Sequence, residues 1–162
     1  MATGDGTFHR LIDIQGKFRN MTFTANSPVS TTEITEEITR TESYVQGKIQ
    51  PFYTIADIAE STAPIAFNIV REICTLYSSG KLNEILHKNG MQPVSEGENT
   101  RSDSMILRAE KMLKGIQLFA TVGNVDNALA LCDIDPKSLP TSNSATGQGT
   151  STPIFDKDIE QW

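Results

Sequence analysis

Apolar residues recur on a helical period in three stretches of the chain. In 31–50, Ile34, Ile38, Val45 and Ile49 fall within an arc of about 60° when residues are spaced 100° apart. In 64–79, the segment PIAFNIVREICTLYSS, the apolar set spreads over about 200° and leaves only Asn68, Arg71, Glu72, Thr75 and Ser78 for the rest. A surface helix needs a stripe of about 100°, so this width predicts a helix covered from at least two sides. Its expected core residues include Ile65, Ile69, Ile73, Leu76 and Tyr77. In 103–120, Met105, Ile106, Ala109, Met112, Leu113, Ile116, Phe119 and Ala120 share about 140°. Leu107 and Leu118 lie off that stripe, either as a second contact or exposed, and exposed leucines in a ring-forming protein would be interface.

Capping residues and helix breakers agree with these three helices. Ser30 and Glu33 fit a capping box at the first start, and a Glu36–Arg40 pair suits the i,i+4 spacing. Pro51 stops that helix. A connector over 51–62 carries the anchors Phe52, Tyr53, Ile55 and Ile58, with Thr62 as the expected N-cap of the next helix and Pro64 near its first position. Gly80 is placed as a left-handed C-cap, followed by a separate short helix over 81–89 with Leu82, Ile85 and Leu86. Residues 91–100 read as a polar loop, with the last helix starting near Ser102 or Asp103. The central helix can be roughly covered by the stripes of the other two.

The flanks are less regular. Residues 1–29 read either as an arm or short hairpin of no further role or as an arm that reaches a neighbouring subunit. Residues 123–139 are ambiguous, with Asp126-Asn-Ala-Leu-Ala-Leu-Cys-Asp133 reading as two helical turns or a strand. From 140 to 153 the chain runs PTSNSATGQGTSTP, with no large apolar residue, which predicts a flexible tether. Ile154, Phe155, Ile159 and Trp162 follow it and are expected to dock on another chain, the alternative being a fold-back onto the same core. The organisation is therefore an arm over 1–29, a bundle over 30–122, an unassigned segment over 123–139 and a docking tail over 140–162. The fold class is mainly α: a small bundle of three to four helices with an extended N-terminal arm and a long C-terminal tail.

Composition narrows function more by exclusion than by assignment. The 162 residues are 38% hydrophobic and 21% charged, which suits one domain without disulfide or metal staples. A net charge of −6 disfavours sequence-independent nucleic-acid binding and docking on an anionic membrane. The longest uninterrupted apolar run, ALALC at 128–132, is far shorter than the ~20 residues of a membrane span, and the N-terminus has no apolar leader segment. Cys74 sits on the wide apolar arc as a small core residue, and with Cys132 it makes no disulfide framework, so a reducing compartment is expected.

The chemical candidates are weak. His9 and His87 have no Cys, His or carboxylate at metal-ligand spacing. Asp133-Ile-Asp135 and Asp156-Lys-Asp158-Ile-Glu160 lack an EF-hand pattern; Asp133 reads as the end of a segment and the second cluster as a solvated acidic face. The glycine pairs Gly4/Gly6 and Gly147/Gly149 match no phosphate loop, and no nucleophile motif is present. No enzyme activity, metal or cofactor is expected. A small helical regulatory or nucleic-acid-binding domain is the alternative, but no helix clusters basic residues as a recognition helix would.

One resemblance gives the pattern a role. The acidic capped helix ending in Tyr44-Val-Gln-Gly-Lys-Ile-Gln-Pro51, the proline-started helix Pro64-Ile-Ala-Phe-Asn-Ile-Val-Arg-Glu-Ile-Cys-Thr-Leu-Tyr and the helix with Ala109-Glu-Lys-Met-Leu-Lys-Gly-Ile116 occur in an order that resembles the head–tail connector (adaptor) proteins of tailed bacteriophages. The likeness covers a little over half the chain and is one of helices and punctuation. The N-terminal extension and the long Ser/Thr tether depart from the family's pattern. The resemblance implies a structural virion protein at the neck, made in the host cytoplasm. It would form a homo-oligomeric ring, twelvefold in that family, below the portal. Its partners would be the portal protein and the tail or a second neck protein. Packaged DNA would pass through without sequence-specific binding, no membrane is involved, and residues 154–162 would be the portal-docking arm. An acidic surface suits such a conduit, because like charge keeps DNA off the wall.

Overall fold

A computed structural model describes residues 5–18, 21–88, 96–123 and 125–137. It is mainly helical: α1 (Leu11–Gln15), α2 (Thr31–Ile49), α3 (Pro64–Lys88) and α4 (Glu96–Val122), with a single 3-10 turn at Ile55–Asp57. Among the described residues there is no β-strand, only an isolated antiparallel bridge between Asp5 and Arg10.

Helix α2 begins as its sequence dictates. Ser30 Oγ accepts from the Glu33 amide at 3.2 Å, and the Glu33 carboxylate accepts from the Ser30 amide at 2.8 Å. The Ser30 amide and hydroxyl both donate to the Glu33 carboxylate and hold it below its ordinary value. Its stripe of Ile34, Ile38, Val45 and Ile49 is buried. Arg40 pairs with Glu37 at 2.8 Å rather than with Glu36, because Glu37 is buried at the stripe's edge while Glu36 points to solvent.

Helix α3 is the hub, touching α1, α2 and α4. Ile73 and Leu76 are buried, and Ile69 and Tyr77 are half-buried against the same core. Ile65 corrects the sequence reading: it is 51% exposed. A helical wheel assigns a direction but no depth, and Ile65 stays outside while its neighbours Ala63, Ala66 and Phe67 are buried.

Gly80 is a second correction. It caps nothing, since α3 runs unbroken to Lys88 and absorbs the expected short helix. Gly80 is instead a point of close approach between α3 and α4. A Cβ there would stand 2.6 Å from Ile106 Cγ1 and 3.1 Å from the Ser102 carbonyl oxygen, and Ser102 Oγ donates to the Gly80 carbonyl at 2.7 Å. Helix α4 also starts earlier than expected, at Glu96 inside the stretch read as loop.

Two buried clusters result. One joins α2, α3 and α4 around Val45, Ile49, Tyr53, Val70, Ile73, Ala109, Leu113 and Ile116. The other joins Ile14, Phe23 and Val29 to Ile34 and Ile38 of α2 and to Leu82 and Leu86 of α3. Thus residues 5–18 and 21–29, read as an arm or hairpin, run along their own bundle and close its third side. In the other open segment, the described residues 125–137 form neither strand nor helix. Leu131 is buried, and the Leu129 amide donates to the Gly115 carbonyl at 2.9 Å, a close approach that Gly115 permits.

The same segment supplies the cap that Thr62 was expected to give. The Asp133 carboxylate accepts from the Ile65 and Ala66 amides, both at 2.8 Å, at the start of α3. The Thr62 hydroxyl instead donates within its own turn, to the Asp57 and Ala59 carbonyls. Asp133→Ala should lower stability by about 1–2 kcal/mol in urea titration, as loss of an N-cap does, whereas Thr62→Ala should stay within about 0.5 kcal/mol of the parent.

Candidate functional site

The most concentrated polar chemistry among the described residues lies under the N-terminal strap, residues 5–10. Glu42 lies on the α2 stripe, one turn after Ile38 and three residues before Val45, where an apolar side chain would be expected. Its Oε2 accepts from the Thr7 amide at 2.8 Å. Its Oε1 accepts from the Phe8 amide at 2.7 Å, the His9 amide at 3.1 Å and His9 Nδ1 at 3.1 Å. Gly6 makes this wrap possible, since a Cβ there would lie 2.2 Å from Glu42 Oε1. Burial pushes the Glu42 carboxyl up, but the bonds from His9, Phe8 and Thr7 outweigh it and hold the carboxyl below the ordinary glutamate value.

The chain of contacts continues inward. His9 Nε2 lies 2.9 Å from Ser78 Oγ on α3. With Nδ1 donating to the carboxylate, Nε2 of a neutral ring accepts from the Ser78 hydroxyl. Serine, histidine and carboxylate thus connect in the order of a hydrolytic triad. However, His9 and Ser78 are each 0% exposed, so no substrate has a path to Ser78 Oγ. Cys74, one turn before Ser78, is likewise sealed, and burial pushes its thiol far above the ordinary value. What this arrangement does is hold: three backbone amides, one imidazole and one hydroxyl tie the strap to α2 and α3.

Two ion pairs extend the attachment along α1. Arg71 of α3 meets Asp13 at 2.5 and 3.1 Å, and Lys17 meets Glu72 at 3.2 Å. Burial raises the Asp13 carboxyl, but the Arg71 guanidinium and the Arg10 amide bring it below its usual value. Beside the strap is a cleft of about 850 Å³, with Phe8 and Phe67 in its lining and Arg10, Glu60 and Arg71 among its charged groups. Among the described residues no group of His, Cys, Asp or Glu is placed to hold a metal ion, and no helix is long and apolar enough to cross a membrane.

Of the residues singled out from the sequence, Ile154, Phe155, Ile159 and Trp162 lie outside the described residues, as does the side chain of His87. Ile69, Ile73, Leu76 and Tyr77 come together in the α3 core, and Ile65 does not. His9, Glu42 and Ser78 were missed as a set. The available signal was a carboxylate interrupting an otherwise apolar stripe. No protein-family model, curated protein or solved structure matches the chain.

Proposed function

We propose that the protein is a structural virion component, a head–tail connector that forms a ring below the portal, continues the DNA channel and joins head to tail. The observation that carries the reading is a helical core wrapped by its own strap, with a large apolar side chain left on the outside of α4. Leu107 is 66% exposed, with exposed Lys111 and Lys114 one and two turns further along that helix. A side chain of that kind suits a lateral contact between ring subunits. The order and punctuation of the helices support the same role, as does the acidic net charge of −6 along a DNA path. In this reading residues 154–162 reach the portal, and no reaction is catalysed.

Mass-resolved sedimentation and electron microscopy, with and without portal, test the proposal. Rings that attach to the portal are expected, and Leu107→Asp should reduce them to folded monomers. A strict monomer that ignores the portal overturns the reading.

A further inference from the structure

Tyr44 of α2 and Tyr77 of α3 stack, with ring centroids 5.0 Å apart and planes at 28°. A lysine sits over each ring: Lys48 at 5.5 Å from the Tyr44 centroid and Lys81 at 5.9 Å from that of Tyr77. Lys114 of α4 joins them, lining with Tyr44, Lys48, Glu110, Leu113 and Gln117 a hollow of about 120 Å³. Lys81 is paired with Glu84 at 3.2 Å, but neither Lys48 nor Lys114 forms an ion pair among the described residues. Three helices of an acidic chain therefore meet at an aromatic face bearing two uncompensated ammonium groups, with Glu110 as the carboxylate in the hollow.

The described chain ends just past the C-terminal end of α2, the helix that carries Tyr44 and Lys48. The Lys137 amide donates to the Phe52 carbonyl at 2.6 Å and its ammonium to the Gln50 carbonyl at 2.8 Å. Gln50 follows Lys48 by two residues, and Tyr44 lies about 9 Å back along α2 at 1.5 Å per residue. Beyond Lys137 come the Ser/Thr/Gly-rich stretch and then IFDKDIEQW, which sets Asp156, Asp158 and Glu160 against one lysine and adds Phe155 and Trp162.

We infer that residues 154–162 dock, within their own chain, on the face formed by Tyr44, Tyr77, Lys48 and Lys114. The charges are complementary: the three carboxylates meet Lys48 and Lys114, and Lys157 has Glu110 to meet. The hollow takes an aliphatic side chain, and the tyrosine rings offer a stacking partner for Phe155 or Trp162. The tether fits as well. A coil of about 17 residues has an r.m.s. span of about 23 Å, which exceeds the distance to be covered. Such a link gives an effective concentration on the order of millimolar, so a contact too weak to form between separate molecules is populated in cis. Two other exposed apolar side chains suit an acidic segment less well: Ile12 adjoins Asp13, and the Ile65 amide is held by Asp133. This contact goes beyond the connector reading and stands without it; a portal, if it captures the tail, would displace it.

Trp162 is the only tryptophan, so its fluorescence reports on the tail alone. In the full chain its emission is expected to be blue-shifted and shielded from acrylamide, equally at low and high protein concentration. Lys48 and Lys114 are exposed, so Lys48→Glu with Lys114→Glu should leave the helical circular dichroism unchanged. In that variant, and in Asp156→Asn/Asp158→Asn/Glu160→Gln, emission should shift to that of free tryptophan and quenching should rise severalfold. Wild-type Trp162 that already behaves as free tryptophan overturns the inference. So does shielding that survives the lysine changes, and so does shielding that grows with protein concentration, which would place the contact on a second copy. No portal enters the measurement, so its outcome is separate from that of the connector test.

Discussion

Glu42→Ala should be among the most damaging single substitutions in this protein, costing about 3–5 kcal/mol in urea or guanidinium unfolding, because it leaves several N–H donors without their acceptor. The carboxylate accepts four N–H groups, and those of Phe8 and His9 are buried. Each donor left without a partner costs about 1–3 kcal/mol, moderated where water can enter from the neighbouring cleft. Domains of this kind have about 5–15 kcal/mol in total, so the loss is a large fraction of the whole. Glu42→Gln keeps the shape and one acceptor oxygen and should cost about half as much, while Glu36→Ala on the solvent side should stay within about 0.5 kcal/mol. The same site gives a pH dependence of definite sign. Because the folded Glu42 and Asp13 carboxyls both lie below their ordinary values, their contribution is fully present above the unfolded value, about 4. It is lost as pH falls through the folded values. The wild type should therefore lose stability in acid more steeply than Glu42→Ala does.

Gly80→Leu should cost about 3 kcal/mol, at the upper end of the range for overpacking a filled interior. Even Gly80→Ala should be net destabilising, although alanine favours a helix by about 1 kcal/mol over glycine. Its Cβ would press on the Ser102 backbone carbonyl as well as on Ile106, and only the Ile106 side chain can turn away. The check is a thermal melt of Gly80→Ala beside Gly47→Ala. Gly47 has open space where a Cβ would be, so alanine there should stabilise by the propensity difference alone.

These two residues also mark where the sequence was readable and where it was not. The 3.6-residue period and the Ser30/Glu33 box locate α2 almost to the residue, because both signals are local. The wide arc of α3 correctly implies cover on more than one side. Gly80 misleads because a glycine after an apolar run serves equally as a C-cap and as a helix-crossing point. Only the position of α4, unknown from the α3 sequence, separates the two. The Asp133 cap is out of reach for the same reason: it acts on amides 67 and 68 residues away, and capping rules read only neighbours. Glu42 was legible in part. A carboxylate inside an apolar stripe announces a buried partner, but nothing in 31–50 says that the partner is the backbone of residues 7–9.

The anchorage of residues 125–137 has a mechanical consequence. Tension applied to the chain beyond Lys137 does not peel a single helix from its end. It first loads the bonds to Gln50 and Phe52 after α2, then the Asp133 grip on the first turn of α3, then the Leu129–Gly115 bond in the body of α4. The three attachments fall just past the end of α2, on the first turn of α3 and in the body of α4, so a pull on the tail is shared across the bundle. A pull at the C-terminal exit is thus met at three places rather than one.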